Sequence, residues 1–99
     1  DQFTEALALR VLAEVLSRLG PSDSASETIS AISDAIRIQE GIGAKPELAR
    51  TYTSLARILQ AQGRPQEALA AFEKSAGLFK ALGMRWDLEY AVRISGRAA

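Results

Sequence analysis

Gly43-Ala44-Lys45-Pro46-Glu47-Leu48 returns forty residues later as Gly83-Met84-Arg85-Trp86-Asp87-Leu88. Each copy opens a segment with helical spacing and a small residue on its inner face, Ala56 after the first and Gly96 after the second. A period between about 20 and 50 residues marks an array of supersecondary units, none of which can bury its apolar face alone. The echo therefore predicts an all-α solenoid of antiparallel helix hairpins. Such arrays offer other chains an extended groove and rarely carry chemistry.

Outward from the echo, Gly and Pro divide the chain into five periodic segments. The first runs from about Phe3 to Leu19, with Leu9, Leu12, Ala13 and Leu16 on one face and Val11 and Val15 beside them. Gly20-Pro21 stops it, and Ser22-Asp23-Ser24-Ala25-Ser26 is a polar connector. Ser24 and Glu27 have capping-box spacing while Ser26 is a rival N-cap, and either serine starts a second helix. Ile29, Ile32, Ala35 and Ile36 follow it at steps closer to a helix than to strand alternation, and it ends near Glu40.

Pro46-Glu47 suits a first turn, because Pro lacks only an amide hydrogen that is orphaned there anyway. The third helix runs to about Gln62 with Leu48, Tyr52, Leu55, Ala56 and Leu59 inward, before Gly63-Arg64-Pro65. The fourth carries Ala68, Leu69, Phe72, Ala76 and Phe79 up to Gly83. A fifth starts near Trp86 with Leu88, Ala91, Val92 and Ser95, and Ala98-Ala99 breaks off inside it. Ala13, Ala56 and Gly96 mark places where a helix approaches its partner closely, with Ile32 and Phe72 filling the gap beyond.

Tyr52-x-x-Leu55-Ala56-x-x-Leu59, then Gly63, then Ala68-x-x-x-Phe72 resembles a tetratricopeptide repeat, whose pattern is W-x2-L-G-x2-Y, then A-x3-F, then P. Tyr52 stands for the Trp, Ala56 for the Gly and Leu59 for the Tyr, and Lys80 takes the place of the closing Pro. The tail Leu78-Phe79-Lys80-Ala81-Leu82-Gly83 makes the unit longer than the usual one. It resembles the subclass of roughly forty residues that follows catalytic or activator modules in bacterial signalling proteins. Leu9, Leu12, Ala13, Leu16 and Gly20 align with Tyr52, Leu55, Ala56, Leu59 and Gly63, with three extra residues in the Ser-rich turn, where added length costs little closure entropy. The resemblance implies a right-handed, TPR-like solenoid of about five helices. Its parts are repeat one at 3–43, repeat two at 44–83 and a partial third repeat at 84–99.

The composition excludes much. Twelve basic and twelve acidic side chains cancel, so no global field draws nucleic acid or anionic lipid to the chain. Without Cys or His there is no disulfide, no thiolate nucleophile, no sulfur metal site and no general base tuned near neutral pH. No cofactor is expected. Glu5, Glu14, Asp34, Glu40, Glu47, Glu67 and Glu73 read as solvated charge, and Gly41-x-Gly43 reads as a helix stop rather than a phosphate loop. No signal pattern and no apolar run near eighteen residues is present, so the expectation is a fragment of a larger cytoplasmic protein.

The resemblance implies that the first helix of each pair lines a concave groove. The residues projecting there are Arg10, Glu14 and Arg18, then Arg50, Thr53, Ser54, Arg57 and Gln60, then Tyr90, Arg93 and Arg97. Arg presents a planar fork that pairs with carboxylates bidentately, so this set suits an acidic or carboxylate-ended peptide. The alternative is that the arginines are exposed solubilising charge, some paired with Glu14 or Glu89. Trp86 reads either as an anchor for a partner or, more simply, as packed on Phe79 and Leu82 across the turn.

The expected function is a protein-interaction module, not an enzyme, in a signalling or regulatory protein, binding a protein or peptide segment in its concave groove. The expected partners include a second copy through exposed repeat ends, but neither nucleic acid nor membrane. The alternative is a spacer or dimerisation arm with no peptide ligand.

Overall fold

The computed structural model describes residues 1–20 and 24–96, which form five α-helices: α1 (Gln2–Leu19), α2 (Ala25–Ile42), α3 (Lys45–Ala61), α4 (Pro65–Leu82) and α5 (Arg85–Ile94). No strand occurs among the described residues. Helices α2, α3 and α4 stop by one repeated device. Ala44 N–H bonds the Gln39 carbonyl at 3.0 Å and Gly43 N–H bonds that of Glu40 at 3.3 Å; Arg64 and Gly63 do the same to Leu59 and Gln60, and Met84 and Gly83 to Phe79 and Lys80. This is the Schellman pattern, which satisfies orphan carbonyls and turns the chain through a left-handed residue. Gly43 and Gly83 supply that residue at φ 70° and 69°, where a side chain would be strained.

Chain reversal at each turn makes α1 and α2, and α3 and α4, antiparallel pairs with the most extensive packing in the molecule. The pairs meet where α2 lies on α3, and α5 lies on α4 in the same manner. Apolar seams alternate accordingly. Ala56, Leu59, Ala68, Ala71 and Phe72 close the α3–α4 pair, with Ile29, Leu55 and Ile94 against them. Ala13, Ala31, Ile32 and Ile58 join α1 and α2 to α3, and Ala49, Phe79 and Ala91 join α3 and α4 to α5. Ala13 and Ala56 are both fully buried, as close helix approach requires. The result measures 37 × 34 × 17 Å, a slab half as thick as it is wide. This is stacked hairpins, not a closed bundle.

Several local expectations need correction. Gly96 is not an inner-face residue of α5. That helix ends at Ile94, and Gly96 is an exposed turn residue at φ 75° whose N–H bonds the Arg93 carbonyl at 3.2 Å. Ser95 belongs to the same turn, its hydroxyl on the Val92 carbonyl at 2.6 Å. The capping box is also absent. Ser24 precedes α2, but its hydroxyl donates backward to the carbonyls of Leu16 and Gly20, both at 3.4 Å, and so ties the start of α2 to the end of α1.

Leu12 and Leu69, read as inward, are 47% and 41% exposed, and the buried residues of α1 are Ala6 and Ala13. Trp86 is 79% exposed rather than packed on Phe79 and Leu82. Met84 and Leu88 flank it in sequence and occupy the place against Phe79 instead. Pro21, Ser22, Asp23, Arg97, Ala98 and Ala99 lie outside the described residues.

Candidate functional site

Helices α1, α3 and α5 run side by side on one face, because each opens a hairpin or follows one in the same sense. Polar contacts bridge them along that face. Ser54 donates to Glu14 Oε2 across 3.1 Å, linking α3 to α1. Arg57 Nη1 donates to the Tyr90 hydroxyl across 3.0 Å, linking α3 to α5. Nearer the N-terminal ends of the same helices four charges form a chain. Arg10 Nη1 lies 4.0 Å from Glu47 Oε2, Glu47 Oε1 accepts from Arg50 Nη1 at 2.8 Å, and Arg50 Nε is 3.6 Å from Asp87 Oδ1.

Two clefts share the centre of this surface. One, about 260 Å³, lies between Arg10, Arg50, Asp87 and Tyr90, with Thr53 and Phe79 at its floor. The other, about 230 Å³, reaches Ser17, Arg18, Ile58 and Ala61. Glu14, Ser54 and Arg57 border both, which makes a single groove across the helices.

Of the residues projected from the sequence, the structure gathers Arg10, Arg50, Thr53, Ser54, Arg57 and Tyr90 around the first cleft. Their duties differ. Arg10 and Arg50 are committed to Glu47 and Asp87, pairs of the partly exposed kind worth about 1 kcal/mol or less. Thr53 is 8% exposed and its hydroxyl pairs with Ser75 of α4 at 2.6 Å, so it serves the α3–α4 join as much as the groove. Gln60 is exposed and borders neither cleft. Arg93 places its guanidinium over the Tyr90 ring, 5.6 Å from the centroid, at the groove's margin. Arg97 lies outside the described residues.

The arginines left without a carboxylate among the described residues are Arg18, Arg57 and Arg93. Net charge therefore concentrates toward the C-terminal halves of α1, α3 and α5, while the Arg10–Arg50 end is compensated. Glu89, expected to pair with a groove arginine, instead meets Arg85 at 3.3 Å on the outside. Glu47, read from the sequence as solvated charge, is instead 18% exposed and held between Arg10 and Arg50. Asp87 was not singled out as a site residue, although the two hold the same place in the two copies of the echo.

A family model described as tetratricopeptide repeat matches residues 3–81, which takes in α1 through the last turn of α4. The chain belongs to the tetratricopeptide repeat family. No curated protein and no solved structure matches it. Tetratricopeptide repeats are protein-interaction units, and the groove just described runs along the opening helices of this chain's hairpins. Among the described residues no carboxylate cluster could hold a metal ion, and no helix is long and apolar enough to cross a membrane.

Proposed function

We propose that the chain binds a protein or peptide segment in the groove of α1, α3 and α5, as an interaction module of a larger signalling or regulatory protein in the cytoplasm. The repeats we assign are 3–43 and 44–83, with a partial third at 84–99. The observation that carries this reading is Arg57. Its guanidinium stands where the two clefts meet, holds only the Tyr90 hydroxyl, and has no carboxylate partner among the described residues.

A carboxylate from a ligand supplies what that position lacks. Four arginines, Arg10, Arg18, Arg50 and Arg57, face three carboxylates, Glu14, Glu47 and Asp87, so the surface is nearly balanced. Such a surface selects one well-placed acidic group, a side chain or a C-terminus, rather than an acidic tract. Ser17 and Ser54 beside it provide neutral hydrogen-bonding groups for a peptide backbone.

An array of peptides with internal acidic residues or free C-terminal carboxylates tests this reading. Arg57→Glu is expected to abolish capture of peptides that the native chain retains. Arg37→Glu, on the exposed side of α2 where Arg37 meets only Asp34, leaves capture intact. Undiminished capture by the Arg57→Glu chain overturns the groove reading and leaves the helices as a structural arm.

A further inference from the structure

On the opposite side of α3 lies a third cleft, about 380 Å³ in volume and shallow, between α2 and α4. Its floor is apolar: Leu48 and Tyr52 of α3, and Gly77 and Leu78 of α4. Its rim carries Glu40 of α2 and Glu73 of α4, with Lys74 between floor and rim. The Lys74 ammonium is occupied by the Tyr52 ring, 5.3 Å from its centroid. The carboxylates of Glu40 and Glu73 have neither ion pair nor hydrogen bond among the described residues. Leu48 and Tyr52 point away from Arg50, Thr53, Ser54 and Arg57, roughly half a helical turn round, so this surface is distinct from the arginine groove.

Gly77 is the second observation. It sits inside α4, where Gly is a poor helix former, and its φ is not positive. A Cβ built there meets nothing within 4 Å, so no close packing requires its absence. Neither backbone geometry nor the core accounts for this residue. Its effect is to keep the floor of the cleft open beneath the two free carboxylates.

From this geometry we infer that the α2–α4 cleft is a docking site for a polypeptide segment that presents one apolar side chain flanked by Lys or Arg. The apolar group enters over Gly77, against Leu48, Leu78 and the Tyr52 ring edge. The flanking cation meets Glu73 or Glu40, which replaces its water with a charge-assisted hydrogen bond. The chain then has two faces of opposite preference, a carboxylate-seeking groove and a cation-seeking cleft, and both can be occupied at once.

The test is selection of random twelve-residue peptides displayed on phage against the whole native chain, with a Gly77→Leu chain as the competitor that removes groove and general binders. Gly77→Leu fills the cleft and improves helix propensity, so its melting temperature is expected to equal or exceed that of the native chain. Peptides that survive the competition are expected to carry an apolar residue within about two positions of Lys or Arg, as a single side chain with an adjacent cation requires. Glu73→Lys is expected to weaken them about tenfold, the change from a favourable pair to a repulsive one, and Arg57→Glu to leave them unchanged. If no peptide distinguishes the native chain from Gly77→Leu, or if those that do are acidic or uncharged, the inference is overturned. Peptides lost on Arg57→Glu but kept by Gly77→Leu belong to the arginine groove and leave that reading standing by itself.

Discussion

Gln39 shows what a single residue costs this fold. It is 1% exposed, yet among the described residues neither its amide oxygen nor its amide nitrogen has a hydrogen-bond partner. Its counterpart forty residues on is Phe79, which fills the equivalent place with an aromatic ring in contact with Ala49 and Ala91. Burying an unpaired amide costs about 1–3 kcal/mol, and an apolar residue of similar shape avoids that cost. Gln39→Leu is therefore expected to raise unfolding free energy by about 1–3 kcal/mol, read as a higher urea midpoint at unchanged slope. A lower midpoint would mean that the amide is satisfied in solution by water.

At the scale of helices, the contact between α3 and α4 rests on small residues. Ala56 is fully buried against Ala68, Ala71 and Phe72, so an added isobutyl side chain has no space to enter. Ala56→Leu is expected to lower stability by about 1–3 kcal/mol through overpacking, visible as a drop in melting temperature. An unchanged melting point would show that the pairing register is wrong. This contact was legible in the sequence because helix breakers and small residues act locally. Gly43, Gly63 and Gly83 had to follow helices whatever they packed on, and Ala56 lay at the one step of the repeat that tolerates no bulk.

Direction was harder to read than existence. Trp86 and Leu88 are two residues apart on a short helix, and periodicity alone does not say which one turns to Phe79. Met84, held in the turn by its bond to the Phe79 carbonyl at 2.9 Å, settles the matter by taking that space. Ser24 failed as a cap for a similar reason, because its hydroxyl is turned back to donate to carbonyls at the end of α1 and accepts from no amide of α2. The groove was half visible. The arginines followed from the helical projection, but their pairing with Glu47 and Asp87 depends on the axial offset between neighbouring helices, which no single segment encodes.

Across the whole molecule, stability must be uneven, because in stacked hairpins each helix is held only by its neighbours. Helix α3 touches α1, α2 and α4, and buries residues along its length from Leu48 to Leu59. Helix α5 rests mainly on α4 and buries Ala91 alone, and α1 buries only Ala6 and Ala13 while Val11, Val15 and Leu19 stay open. Local opening free energies range from near zero at frayed ends to the global value in the best-packed element. Native-state hydrogen exchange is therefore expected to rank α5 fastest, α1 next, α2 and α4 slower, and α3 slowest. The order carries a functional consequence, since both proposed recognition surfaces include side chains of α3. A ligand in either one meets a wall that is already rigid, so binding in the groove should slow exchange in α1 or α5, and binding in the cleft should slow it in α2 or α4, far more than in α3. If all five helices exchange at one common rate, the chain unfolds as a single unit and the one-dimensional picture of its cohesion is wrong.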